Sequence, residues 1–223
     1  MKLVNTYYNL ELNIVENQIA VLSVENPAAY TKIVGDMWHQ VNGEEGSFIL
    51  SDGEKIKNIS KDIECIFNPF SLDCNNKKII TRLYQELRMQ SDNLLQEETA
   101  RLNCNIIEYL ERLIMTVPYN LKFNCDMDIT SMMKMYGVEI DNQTDGILEN
   151  VVEYIKVVSQ ICGIKTFVAI DIKHYLTDEE LLKLYEAVFY EKINLVIIEP
   201  IHTNKISNEK CWIIDKDLCI IDL

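Results

Sequence analysis

Residues 165–200 read KTFVAIDIKHYLTDEELLKLYEAVFYEKINLVIIEP, and this stretch decides the fold. It opens on an apolar run, residues 166–170, that ends at Asp171. It closes on a second, residues 195–198, that ends at Glu199 and Pro200. Runs this short and this apolar are strands buried on both faces, as a parallel sheet requires. Between them Leu181, Leu182, Leu184, Tyr185, Val188 and Phe189 recur at helical spacing, and Thr177 with Glu180 three residues on has the form of a capping box. Strand, helix and strand in this length make a βαβ unit with a right-handed crossover. The chain therefore contains an α/β sheet with acidic groups at strand C-termini, the edge where such sheets usually place ligands.

Working outward, the chain of 223 residues is long enough for one large domain or one domain with an insertion, and its 48% hydrophobic content supports a sizeable core. The formal net charge is −14, from 21 Lys and Arg against 35 Asp and Glu. Taken alone this argues against nucleic acid, whose phosphates are bound by Lys and Arg, but a global sum leaves room for a locally basic surface. The seven cysteines are scattered and never spaced CxxC, and most lie in apolar runs, which reads as reduced core cysteine in a cytosolic protein. The N-terminal stretch is broken by Asn and Glu, unlike a signal peptide, and no apolar run reaches transmembrane length. A cytoplasmic location is expected, with no membrane partner.

Towards the N-terminus, residues 3–8 and 11–15 read as two short strands joined by a tight turn, and residues 19–24 as a third, more buried strand. An amphipathic helix follows over 28–41, capped by Asn26 with Pro27 in its first turn, and Ile33, Val34, Met37 and Trp38 share its apolar face. Short strands are expected at 48–50 and 63–67. From Lys77 to about Thr116 the sequence is nearly free of Gly and Pro. Ile79, Ile80, Leu83, Tyr84 and Leu87 form one apolar stripe, and Leu102, Ile106, Ile107, Leu110, Leu113 and Ile114 another, which predicts a helical hairpin or a bent helix pair. A short strand is expected at 121–123 and a short helix at 129–136 stopped by Gly137. A long helix follows from Thr144 over 145–161, with Gly163 as its cap. Two last strands, 211–214 and 218–222, flank a turn. The body is thus discontinuous, residues 1–68 and 143–223, with a helical domain over 69–142 inserted in it.

The loop after the third strand, Glu25-Asn26-Pro27-Ala28-Ala29-Tyr30-Thr31-Lys32, lies where a phosphate loop would. It has no Gly to bring backbone N–H groups to phosphates, and Pro27 removes one donor, so an ordinary capped helix start is expected and ATP is not. Asp171 and Glu199 have the form of a magnesium-linked pair at a sheet edge, but without a phosphate loop they have little to act on, and solvated or dipole-paired carboxylates are the adopted reading. His39, His174 and His202 lie far apart, without HxxxH or HExxH spacing, so no zinc site is expected. The acidic residues of 125–128, with Glu139, Asp141 and Asp145 downstream, lack EF-hand spacing and read on spacing alone as a solvated turn. Lys55, Lys57, Lys61, Lys77, Lys78 and Arg82 cluster in sequence where body gives way to helices, which suits either a solvated face or a ligand.

Several stretches in order resemble the Csn2 family, the small ring-forming proteins of type II-A CRISPR systems. They are Phe48-Ile49-Leu50-Ser51-Asp52-Gly53, Ile59-Ser60-Lys61, Asn68-Pro69-Phe70-Ser71-Leu72-Asp73, Asn76-Lys77-Lys78-Ile79 and Leu83-Tyr84-Gln85-Glu86-Leu87. The set continues with Tyr136-Gly137-Val138, residues 167–171, Tyr175-Leu176-Thr177 and residues 194–200. The resemblance implies an α/β head with a mostly parallel sheet, similar to a degenerate P-loop or ABC-type ATPase head but without ATPase activity, and an inserted α-helical leg. It implies a homotetrameric ring that threads double-stranded DNA from its ends without sequence preference and is stabilised by calcium. Its partners would be the CRISPR integrase pair and the RNA-guided effector nuclease, in spacer acquisition and antiviral defence. In relatives the segment returning from the leg is dense in calcium-binding carboxylates. Here residues 121–128 keep only Asp126 and Asp128, so a weakened metal site is expected.

Within that resemblance Lys57, Lys61, Lys77, Lys78 and Arg82 are the expected DNA-contacting residues, with Lys134, Lys165 and Lys173 as alternatives. The competing readings are an α/β nucleotide hydrolase with an unusual phosphate loop, and an acidic adaptor that recruits basic proteins.

Overall fold

The computed structural model describes residues 1–141 and 145–223. The expected helix start at Thr144 and the expected body boundary near 142–143 lie outside the described residues. By its internal contacts the chain forms two compact units. One comprises Met1–Asp73 with Asn142–Leu223, the other Cys74–Asp141.

The first unit is α/β. Strands β1 (Lys2–Asn5), β2 (Leu10–Asn13), β4 (Phe48–Asp52) and β5 (Lys55–Lys57) form an antiparallel sheet in the order β2-β1-β4-β5. A second sheet runs β10-β9-β3-β8-β7-β6, from β3 (Ile19–Val24), β6 (Ile63–Ile66), β7 (Thr166–Ile170), β8 (Asn194–Glu199), β9 (Glu209–Ile214) and β10 (Ile220–Asp222). Its pairings are parallel except at β9–β10, so the sheet is mostly parallel. The terminal strand pairs and the strand at 48 were expected. The closure of the N-terminal pair and β4 into a separate antiparallel sheet, and the strand β5, were not, because Lys55–Lys57 is too short and too polar to register as a strand.

Of the inner strands, β3 and β7 are buried along their whole length, and β8 and β9 at all but one residue each. Alternate residues explain why. Leu22, Val168, Ile170, Val196 and Ile198 join a core with α1 (Pro27–Val41) and with Leu3, Leu12 and Leu50 of the antiparallel sheet. Phe167, Ala169, Leu195 and Ile197 point to the opposite face and are equally buried. On that side α7 (Asp178–Tyr190) packs on β8 and α6 (Ile147–Cys162) packs on α7. A fully buried Val, Leu or Ile contributes about 1.5–3 kcal/mol, so two-sided burial is what commits such short runs to the sheet centre.

Local chemistry sets the helix ends. Asn26 accepts from the N–H groups of Ala28 and Ala29 at 3.0 and 3.1 Å to start α1. Thr177 and Glu180 form the expected capping box on α7. Gly163 ends α6 at φ +71°, a conformation that costs a β-carbon-bearing residue strain. Trp38 departs from expectation. It lies 48% exposed with its ring edge against His39, while Ala29, Ile33 and Met37 supply the buried face of α1.

The second unit is helical, built from α3 (Lys77–Leu94), α4 (Gln96–Ile114) and α5 (Ile129–Met135). α3 packs against both others, and Tyr84 donates from its hydroxyl to the Val138 carbonyl at 2.9 Å. Leu95 breaks the long helical run without Gly or Pro. The strand expected at 121–123 does not form. Residues 120–128 carry no regular element, and the Cys125 carbonyl accepts from the Asn103 side chain at 2.9 Å instead of a ladder partner. Cysteine placement also departs from the sequence reading: Cys104, Cys125 and Cys219 are exposed. No described helix is long and apolar enough to cross a membrane.

Candidate functional site

The basic residues divide between the two units. Asn76 caps α3 by accepting from the N–H groups of Lys78 and Ile79 at 3.0 and 3.1 Å. The first two turns then bury Ile79 and Tyr84. Residues on the opposite side of those turns must therefore face out. Lys77, Lys78, Thr81, Arg82 and Gln85 do so, lining one shallow groove of about 600 Å³. All five are exposed. Three of the five expected cations thus share one helix face. Lys57 and Lys61 belong to the other unit, Lys57 half-buried in β5 opposite Leu50 and Lys61 exposed in the short helix α2 (Ile59–Asp62). Among the alternatives, Lys173 is buried in an ion pair with Glu209 at 2.7 Å, and Lys165 donates to the Ser159 hydroxyl at 2.6 Å. Lys134 is exposed on α5.

Asp126 and Asp128 fit a calcium site poorly. Calcium takes six to eight oxygens at about 2.3–2.6 Å. Both Asp128 oxygens already accept hydrogen bonds as the N-cap of α5, one from the Thr130 N–H at 3.3 Å, the other from the Ser131 N–H and hydroxyl at 3.0 and 2.6 Å. The Ser131 hydroxyl foremost holds the Asp128 carboxyl below its ordinary value. Asp126 is exposed, and neither residue belongs to a ligand cluster among the described residues.

Such a cluster does occur at the carboxyl edge of the parallel sheet. Ile170 and Ile198 are register partners in β7 and β8, so the residues that follow them, Asp171 and Glu199, arrive side by side. Asp171 adopts the left-handed region, φ 58° and ψ 29°, and turns the chain into a short 3-10 segment (Ile172–His174) that carries His174 back toward both carboxylates. His174 Nδ1 contacts Asp171 Oδ1 and lies 3.4 Å from Glu199 Oε2. One donor atom from each residue lies within 4.8 Å of the others. Glu199 is fully buried, against the expectation of a solvated carboxylate, because β8 carries it in as the last residue of a core strand. Its Oε1 accepts from the Lys173 N–H at 3.0 Å, whereas its Oε2 is buried without a hydrogen-bond partner and the buried Asp171 Oδ1 faces the His174 ring nitrogen. Burial above all, aided by the Asp171 charge, pushes the Glu199 carboxyl up to about 7, while the Lys173 N–H pulls the other way.

A second buried network lies beside the first. Glu209 pairs with Lys173 and accepts from the Tyr185 hydroxyl at 2.5 Å and the Ile206 N–H at 3.0 Å. A cleft of about 520 Å³ near the site is lined by Val24, Pro27, Tyr30, Pro200 and Ile201 among others. Burial, followed by the charges of Asp171 and Glu199, raises the Tyr30 phenol to about 12, which ties the cleft wall to the pair. The loop before α1 offers little to a phosphate, since Asn26 occupies two of its N–H donors and Pro27 lacks one.

His174 was discounted in the sequence because histidine was sought beside histidine. The usable signal was Asp171-x-x-His174 directly after a buried strand, and the third member, Glu199, became a neighbour only through parallel pairing.

Comparison with known proteins agrees with the fold. The family described as CRISPR-associated protein (Cas_Csn2) matches residues 40–218. A CRISPR-associated protein Csn2 from Streptococcus agalactiae is 22% identical over 214 residues, covering 95% of this chain and 94% of the relative. The crystal structure of Stu0660 of Streptococcus thermophilus superposes with a TM-score of 0.62 at 14% identity, covering all of this chain and 76% of that one. The ATP-binding cassette MJ0796 bound to ADP and Pi gives a TM-score of 0.45 at 12% identity, too low to carry an argument.

Proposed function

This chain belongs to the Cas_Csn2 family of CRISPR-associated proteins, and from that premise we propose that it is a non-catalytic ring protein. It binds the ends of double-stranded DNA without sequence preference during spacer acquisition. The observation that carries the reading is the basic groove on α3. In a chain of net charge −14, Lys77, Lys78 and Arg82 gather on one exposed helix face. Contacts from such a face reach phosphates and carry no base information, which accounts for indifference to sequence. Lys57 and Lys61 are assigned the same role.

The helical unit supports self-association. Leu94, Leu102, Tyr109, Leu113 and Met115 are between 42% and 83% exposed in the isolated chain, and α4 buries none of its residues. Contiguous apolar faces of this kind are normally covered by a partner, here three further copies in a homotetramer. The integrase pair and the RNA-guided effector nuclease are the assigned partners, and the cytoplasm the assigned location. Calcium is assigned at most a weak role at Asp126 and Asp128. ATP is assigned none, a reading supported by the capped, glycine-free loop before α1.

A gel shift with linear and covalently closed duplexes of equal length tests the proposal. A ring that threads ends binds the linear form and largely ignores the closed one. Equal binding to both rules out threading, absence of binding favours an adaptor, and phosphate release from ATP above background favours a hydrolase.

A further inference from the structure

We propose that Asp171, His174 and Glu199 hold one divalent transition cation, manganese or zinc in class, at the carboxyl edge of the parallel sheet. The inference is independent of the α3 groove, since every residue in it belongs to the α/β unit.

The geometry is that of ligands around a shared ion. Donors held about 2.0–2.2 Å from a cation lie roughly 3–4.4 Å from each other, and the three donor atoms here fall within 4.8 Å of one another. Small side-chain motions would part the Asp171–His174 contact and seat a metal among the three donors. The backbone already fixes all three positions. Two are ends of register-paired strands, and the third follows a single 3-10 turn.

The independent observation is the unpartnered oxygen. Glu199 is 0% exposed, and its Oε1 is anchored by the Lys173 N–H, so its Oε2 is aimed at His174 and Asp171 with nothing to accept. Asp171 Oδ1 is buried beside it, against His174 Nδ1. A buried carboxylate oxygen left unmatched is costly, and a second carboxylate beside it raises the cost. The nearby ammonium group does not relieve them, because Lys173 Nζ pairs with Glu209 at 2.7 Å. A proton on His174 would answer one negative charge of the two. A divalent cation answers both and gives the orphaned Glu199 oxygen a partner.

The donor set also selects the class of ion. Calcium and magnesium prefer oxygen ligands throughout, whereas an imidazole with two carboxylates suits manganese, iron or zinc. Three protein ligands leave coordination positions open. Asp171 and His174 keep 34% and 47% of their side chains exposed, so an ion has a path in. Tyr30, which feels both carboxylates, links the site to the cleft formed with Pro200 and Ile201.

Isothermal titration of the chelator-treated full chain with MnCl₂ alone, and separately with ZnCl₂ alone, tests the site. Loss of the free Mn²⁺ electron-spin signal gives a second readout. The expected result is one ion per chain. Glu199→Gln and His174→Ala should each weaken binding about tenfold or more, and Glu54→Gln, at an exposed carboxylate elsewhere in the α/β unit, should leave it unchanged. Should Glu199→Gln disturb the fold by circular dichroism, the half-exposed His174→Ala decides. No binding of either ion by the parent below about millimolar concentration, or equal binding by the parent and His174→Ala, overturns the proposal and leaves a proton shared among the three residues as the occupant.

Discussion

Exchanging Lys77 and Lys78 together for Glu puts the DNA reading under the most direct strain. The α3 groove presents three cations per chain, Lys77, Lys78 and Arg82. Each phosphate contact adds about 0.9 to the slope of log K against log salt, so raising salt fourfold weakens binding about 3.5-fold per contact. Two lost contacts flatten the slope by about 1.8 for each chain that touches the duplex. Between about 50 and 200 mM salt the variant should thus be roughly twelvefold less salt-sensitive per chain than the parent. At fixed low salt it should bind at least about tenfold more weakly, since reversed charges also repel phosphates. Fluorescence anisotropy on several unrelated linear duplexes measures both quantities, and every sequence should shift alike. Both residues are exposed, so light scattering should report an unchanged oligomer. A variant that binds as tightly as the parent across the whole salt series would show that this face does not meet DNA.

Replacing Leu102 and Ile106, 42% and 39% exposed on α4, with Asp should dissociate the oligomer in light scattering while circular dichroism keeps its helical signal. Chelation with EGTA should leave most of the oligomer intact, because Asp128 already caps α5 with both oxygens; complete dissolution would place calcium ligands elsewhere, such as Glu139, Asp141 or Asp145. Lys173→Met strands Glu209, whose side chain is fully buried, and should cost about 3 kcal/mol or more in urea denaturation. Asn26→Ala removes the cap of α1 and should cost about 1 kcal/mol, without creating ATP binding in equilibrium dialysis, since no glycine replaces the missing loop.

The sequence by itself determined what depends on local pattern. Residues 166–170 and 195–198 read as buried strands, and the structure has them so. Thr177 with Glu180, and Asn26 with Pro27, set helix starts that the structure keeps. Gly163 set a helix end. Periodicity and capping act over a few residues and need no knowledge of the rest of the chain. The α3 groove was legible for the same reason: Lys77, Lys78 and Arg82 share a face because a helix repeats every 3.6 residues.

What only the tertiary structure decided depends on residues far apart in sequence. Short strands with no strong pattern, such as Lys55–Lys57, exist because a neighbour offers a ladder, and residues 121–123 fail to form one because none does. Asp171 and Glu199 looked like solvated strand ends. Parallel pairing put them side by side, β8 buried one completely, and a left-handed turn at Asp171 brought His174 onto both. Burial, and the orphaned oxygen it creates at Glu199, are properties of what surrounds a residue. No window of sequence around Glu199 contains the strand, the turn and the histidine that surround it.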